Sequence, residues 1–250
     1  MPDYLIFQLY GPLASWGDIA VGETRHSSTH PSKSALIGLV AASLGIERRQ
    51  EDEQKHLASC YRFYVKTIAH GSFLQDFHTI QTAASLKKNR YHSRCDLLLR
   101  DEKLVKTILS TREYRCDAFS LIALQGEAGA RYTLSEIKKA LLQPKYSLYL
   151  GRKSCPLSLP LYPNLIRETA GWKQALDRYW RNLQVKLENS TPFLLKSFEL
   201  LSDRSAYYWE GEDPHITADL IAPRYDQPLS RRRWQFSPRQ EHQKMIEKGE

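Results

Sequence analysis

The segment YLIFQLY, Tyr4 to Tyr10, constrains the fold of this chain more than any other. Its side chains favour strands and leave no polar face, so the strand needs cover on both sides. Gly11-Pro12 ends it, and Leu13 to His30 reads as a long polar loop with two glycines. Pro31-Ser32 then opens a helix with Leu36, Leu39, Val40 and Leu44 on its apolar side, closed by Gly45. A second short helix is expected over roughly Asp52 to Ser59. Tyr61 to Ala69 is expected as a strand with Phe63, Val65 and Thr67 on one face.

From His78 to Arg115 periodicity is poor and charge dominates. Strand character returns over Tyr114 to Leu124. Thr133 and Glu136 have capping-box spacing for a helix that Pro144 stops. A short aromatic strand, Lys145 to Leu150, then runs into Gly151. The order is strand, helix, strand, basic insertion, strand, helix, glycine segment. It resembles the ferredoxin-like (RRM-like) β-α-β-β-α-β arrangement, an α+β class, with an insertion between its middle strands. The fourth strand is placed within Pro156 to Tyr162. On this reading residues 1–162 form the core, with the insertion at about 78–115, and residues 163–250 form an appendage. The appendage holds a helix over Gly171 to Lys186, a short aromatic segment at Tyr207 to Glu210, and a charged end, Glu241 to Glu250, that frays.

Charge narrows the partners. The 250 residues carry a net +8, which favours a polyanion. Nine Lys or Arg and four acids lie in residues 78–115, so that excursion holds +5 of the +8. Tyr91, His92 and Tyr114 interleave with those cations, and rings beside cations offer base stacking as well as charge. A second cluster, Arg231, Arg232 and Arg233 with Trp234, Phe236 and Arg239, suits RNA contact, subunit contact or a snorkelling edge equally.

The four cysteines, Cys60, Cys95, Cys116 and Cys155, are too widely spaced for a zinc ribbon or a redox pair. They read as reduced thiols in a cytoplasmic protein. The amino end lacks a basic signal-type region, and the longest nearly apolar run, Ala35 to Ile46, is too short to span a bilayer. No membrane partner and no cofactor are expected. His26 and His30 are four residues apart but precede Pro31 in a loop, which makes a poor metal site.

The stretch KYSLYLGRKSCPLSLPL, Lys145 to Leu161, carries the sharpest functional signal. Gly151 permits positive φ or close backbone approach. Arg152, Lys153 and Ser154 beside it suit a phosphate oxygen. Arg25, Lys33 and Ser34 lie near the amino end of the first helix, where anions are favoured; Ser32 or Ser34 serves equally well as a simple cap. No Walker lysine loop, nucleotide-binding glycine motif, metalloprotease motif or nucleophile elbow occurs. His78 and His92, with Lys87 and Tyr91, leave open a metal-independent ribonuclease acting on an RNA 2′-hydroxyl.

Several of these segments together resemble the CasD family, the crRNA 5′-handle-binding subunits of type I-E CRISPR Cascade complexes. They are YLIFQLYGPLASWG (Tyr4–Gly17), PSKSALIGLVAASLGI (Pro31–Ile46), DFHTIQT (Asp76–Thr82), TREYRCDAF (Thr111–Phe119), LYLGRKSCPLSLPL and RRRWQFSPRQ (Arg231–Gln240). The resemblance implies a ferredoxin-like core with a β-hairpin thumb. It implies RNA contacts at His78, Lys87, Lys88, Arg90 and Arg112 on the thumb, and at Gly151, Arg152, Lys153 and Ser154 on the loop. Lys33 and Ser34 fall in the matched first helix. It further implies a non-catalytic role in antiviral defence, contacts with the backbone and large subunits, and target DNA met only through the complex. In a related subtype the equivalent subunit cuts RNA, so a crRNA-processing endoribonuclease is the alternative.

Overall fold

The computed structural model describes residues 2–17, 20, 22–83, 93, 95–96, 99, 105–201 and 205–246. The strand β1 runs Tyr4–Tyr10, and its residues alternate between two cores. Leu5, Phe7 and Leu9 enter one; Tyr4 and Ile6 enter the other. That is the period-2 consequence of a strand covered on both faces.

Between Tyr10 and the first helix come four two-residue strands, β2 (Leu13–Ala14), β3 (Trp16–Gly17), β4 (Thr24–Arg25) and β5 (Ser27–Ser28). The expected loop is thus tied down by pairing. Helix α1 (Lys33–Leu44) starts where the Ser32 hydroxyl accepts the Ala35 amide at 3.2 Å and ends at Gly45, φ +79. Helix α2 spans Glu51–Cys60 and runs into β6 (Tyr61–Ala69). A hairpin follows, β7 (Ser72–Ala83) and β8 (Val105–Cys116), then β9 (Phe119–Gly126). Helix α3 (Leu134–Leu142) carries the expected capping box of Thr133 and Glu136. After it come β10 (Asn164–Ile166), α4 (Trp172–Ser190), α5 (Pro192–Leu201), β11 (Ala206–Trp209), β12 (Leu220–Ser230) and β13 (Gln235–Met245).

The main sheet has the order β10-β1-β9-β6-β11-β13-β12, with antiparallel pairs. Helices α1, α2 and α3 cover one face; α4 and α5 cover the other. The α4 face encloses Lys66, whose Nζ donates to Asp177 at 2.6 Å while the Tyr207 hydroxyl donates to the same oxygen. Burial lowers the lysine's proton affinity and the carboxylate partner opposes that.

Four expectations are corrected. Lys145 to Leu150 is not a strand; only Tyr149 forms an isolated bridge, with Pro156. No strand lies within Pro156 to Tyr162; the next strand, which pairs with β1, is Asn164–Ile166. Tyr114 to Leu124 is two strands, parted where Asp117 takes φ +58. Gly71 faces that break, and a Cβ on it would lie 2.3 Å from the Cys116 carbonyl oxygen. There the hairpin leaves the main sheet. Residues 241–245 do not fray but complete β13, and residues 247–250 lie outside the described ones.

A buried charged network explains that last correction. Asp226 on β12 accepts Arg239 Nε at 2.6 Å, Arg239 Nη2 at 3.0 Å and the Lys33 backbone amide at 2.7 Å. Glu241 accepts Arg239 Nη2 at 2.5 Å, Arg224 Nη1 at 3.1 Å and His30 at 2.8 Å. The carboxylates thus tie the C-terminal hairpin to the start of α1. His30 stacks on Tyr208 at 3.5 Å between ring centres. Burial first, then the Arg224 charge, pushes its proton affinity down to about 4. His30 is therefore neutral when folded but takes a proton in the unfolded chain below about pH 6.5. Stability present above pH 6.5 should be lost as pH falls towards 4, by about 2 kcal/mol at pH 5. Urea midpoints at pH 7.5 and 5 check this, and His30→Gln should flatten the difference.

Candidate nucleic-acid interface

The root of the β7–β8 hairpin is a second, four-stranded sheet. On its outer side β8 pairs with β2 antiparallel and with β4 in parallel. The parallel register sets Arg25 beside Arg112. Like charges side by side on neighbouring strands oppose each other. Arg112 forms no ion pair among the described residues. Asp76 lies opposite it on β7, but its carboxylate meets His78 Nδ1 at 3.0 Å.

The glycine segment packs against this root. Leu150 to Cys155 forms a closed turn: the Leu150 amide donates to the Cys155 carbonyl at 2.8 Å, and the Cys155 amide to the Arg152 carbonyl at 2.9 Å. Cys155 is fully buried, and burial raises its thiol, so it anchors the turn as a neutral apolar group. Gly151 has φ +83, and a Cβ on it would sit 1.8 Å from the Ser15 carbonyl oxygen. The close approach this glycine permits is to the chain's own backbone. Ser15 is held on both sides, its amide donating to Leu150 O at 3.0 Å and its hydroxyl to Glu113 O at 3.0 Å.

Arg152 joins the turn to the hairpin. Its Nη1 donates to Glu113 O at 3.4 Å, its Nη2 to Arg25 O at 3.3 Å, and its guanidinium lies 4.8 Å from the centre of the Tyr114 ring. The neighbouring Lys153 and Ser154 are exposed at the crest of the turn. Arg25 and Arg112 are thus neighbours in register, Arg152 reaches the Arg25 carbonyl, and Lys153 and Ser154 follow it on the turn, while the Arg25 guanidinium itself donates to the Gly22 carbonyl at 2.6 Å. Glu113, next to Arg112 on β8, is an acid beside this arrangement. It accepts the Ser27 amide at 3.0 Å and His26 at 2.8 Å. Burial raises this carboxyl, but those two partners outweigh it and hold the group below its ordinary value. Glu113 is thereby spent on fixing β4 and β5 rather than on neutralising the arginines.

The remaining expected residues are placed differently. Lys33 is buried, with its Nζ 2.7 Å from Glu210. Ser34 meets the Ser32 hydroxyl at 3.0 Å in the first turn of α1. His78 stands partway along the hairpin, beside Asp76. Lys87, Lys88, Arg90, Tyr91 and His92 lie outside the described residues. Arg25, expected near the amino end of α1, belongs instead to the hairpin root. Sequence reasoning missed Ser15, Glu113 and the packing role of Tyr114, because each acts only through pairing between distant strands. His26 and His30 turn to different carboxylates, and among the described residues no cluster of His, Cys, Asp and Glu could hold a metal ion. No described helix is long and apolar enough to cross a membrane.

Residues 4–241 match the family model described as CRISPR-associated protein (Cas_Cas5). The CRISPR system Cascade subunit CasD of Escherichia coli (strain K12) is 35% identical over 170 residues, covering 65% of this chain and 70% of that protein. A chain of a CRISPR RNA-guided surveillance complex superposes with a TM-score of 0.62 at 21% identity, over 98% of this chain and 90% of its own. A structure described as a Cas protein superposes with a TM-score of 0.59 at 23% identity, over 98% and 95%. These two likenesses bear on the fold.

Proposed function

The chain belongs to the CRISPR-associated Cas5 family, and from that premise we propose that it is a non-catalytic RNA-binding subunit of a type I-E Cascade surveillance complex. It grips the 5′ handle of the crRNA and works in the cytoplasm in antiviral defence. The observation that carries this reading is the placing of Arg25, Arg112 and Arg152 together at the hairpin root, with no ion pair to any of them among the described residues. Such a site suits a phosphodiester backbone, with Arg supplying forked contacts and Lys153 and Ser154 adding point charge and a hydroxyl. The hairpin acts as the thumb: His78, Lys87, Lys88 and Arg90 extend the contact along the strand. Lys33 joins only by leaving Glu210, so we assign it and Ser34 a supporting part at α1.

We read the portion β10-β1-β9-β6 as the ferredoxin-like core. Its order, its antiparallel pairing and the positions of α1 and α3 in the chain support that reading. The RNA-binding core then extends through β10, slightly past residue 162, and the later strands form the appendage that meets the backbone and large subunits. Target DNA is reached through the assembled complex.

One observation favours a second reading, a metal-independent endoribonuclease. Asp76 orients His78 Nδ1 at 3.0 Å, the geometry of a general base held by a carboxylate. Incubating the full chain with repeat-derived RNA in the absence of metal decides between them. A retarded but intact RNA is expected. Specific cleavage that disappears in His78→Ala would establish the nuclease instead.

A further inference from the structure

The turn between β12 and β13 carries the second arginine cluster, and the hairpin root does not account for it. Residues 231–234 form this turn, which lies over α1 and the α1–α2 connection. Arg231 presses on α1 so closely that a Cβ on Gly38 would lie 3.0 Å from its Nη2. Arg48, just beyond α1, donates from Nε to the Arg231 carbonyl at 2.6 Å. Both guanidiniums gather on the exposed Trp234 ring, Arg48 at 4.0 Å and Arg231 at 5.2 Å from its centre. Arg232 and Arg233 are exposed beside them.

Among the described residues no carboxylate forms an ion pair with Arg48, Arg231, Arg232 or Arg233. Two acids of the α1–α2 region have partners already, though the Glu51 charge also acts on Arg232. Glu47 pairs with Arg49, while Glu51 accepts the Ser230 hydroxyl and the Arg232 backbone amide. Two guanidiniums held on one indole repel each other, and a bound anion would relieve that repulsion. The segment leading into the glycine turn starts on the same end of α1, where the Lys145 and Tyr146 amides donate to the Ser43 and Ala42 carbonyls at 3.1 and 3.2 Å, and Tyr149 stands two residues before Gly151. Tyr146, Tyr149 and Trp234 are all substantially exposed, at 47%, 43% and 59%. Cations interleaved with exposed rings form a surface suited to a single nucleic-acid strand.

We propose that Arg48 and Arg231, braced on Trp234, form a second phosphate-binding station for the same RNA strand that the glycine turn grips. The station rests on the RNA-binding reading and lengthens the contact beyond Ser154. Arg48 is exposed, so its removal leaves the core intact; Arg231 is partly buried, so the thermal midpoint is followed in parallel. The full chain is titrated with a fluorescent single-stranded RNA of about 12 nucleotides, a span within known single-strand site sizes. Arg48→Ala with Arg231→Ala should weaken binding about tenfold, as expected for lost charged hydrogen bonds. The salt slope should become shallower by about 0.7 for each phosphate released. Arg48→Ala alone should reproduce part of both changes at an unchanged thermal midpoint. If the unaltered chain binds this RNA and Arg48→Ala leaves affinity and slope as they were, the station does not exist. If the variant binds RNA normally but no longer joins the complex, the turn serves an acidic protein partner and the proposal is wrong. If the unaltered chain binds no RNA, the parent reading fails and this one falls with it.

Discussion

Asp226→Ala should cost about 3–5 kcal/mol of stability, the usual penalty for removing one partner of a buried ion pair. Asp226 is 4% exposed and receives both Arg239 nitrogens and the Lys33 amide. Without it, Arg239 keeps only Glu241, and the first amide of α1 loses its acceptor at the end of the helix where negative charge is most favourable. Arg224 also loses the carboxylate 3.6 Å from its Nε. For a chain of this length the loss amounts to a fall of about 10 °C in the thermal midpoint. Asp226→Asn retains an acceptor for the amide and should lose clearly less. Equal losses in the two variants would show that the carboxylate's charge alone, and not its packing or its acceptor for the amide, holds the C-terminal hairpin on α1.

Gly151→Ala should be the most damaging single change at the proposed RNA site. Two penalties act together. A residue with a Cβ resists φ +83, and the new carbon would stand 1.8 Å from the carbonyl oxygen of Ser15, a residue whose amide and hydroxyl are both hydrogen-bonded. The turn must move, at a cost on the order of 3 kcal/mol, and Arg152 must move with it. Gly129 separates the two penalties. Its φ is +87, but nothing lies within 4 Å of the Cβ position, so Gly129→Ala should cost only about 1 kcal/mol. Similar melting curves for the two variants would mean that conformational strain alone, rather than contact with Ser15, makes Gly151 necessary.

The parts of the fold that were legible in the sequence are those fixed by local chemistry. Tyr4–Tyr10 and Tyr61–Ala69 have the lengths and side chains of covered strands. Ser32, Gly45 and the Thr133–Glu136 pair mark helix ends through hydrogen bonds a few residues long. The hairpin had no such signal. Its strands stand away from the main core with Phe73, Phe77, Ile108 and Leu109 exposed, so no buried face imposes alternation. The glycine segment reads as a strand because Tyr146, Leu148, Tyr149 and Leu150 favour one, yet of these only Leu150 is buried, and Cys155 is buried beyond the glycine. Each is buried singly from a turn rather than as one face of a ladder. The charged C-terminal end looked solvated, because the partners of Arg239 and Glu241 lie on β12 and at His30. At the site, the sequence pointed to Arg112, Arg152 and Lys153 individually. That Arg25 stands beside Arg112, and that Arg152 reaches both strands, depends on contacts between segments far apart in the chain.

The central claim is that the glycine turn and the hairpin root hold an RNA backbone by charge. The most direct measurement is the salt dependence of binding between the full chain and a crRNA 5′-handle RNA, for the unaltered protein and for Arg152→Ala with Lys153→Ala. Each cation that neutralises a phosphate of a single strand contributes about 0.7 to the slope of log affinity against log salt. The double variant should bind more weakly at low salt, with a slope shallower by about 1.4 if both cations meet phosphates. A double variant that remains folded and keeps the parent's affinity and slope would contradict the account.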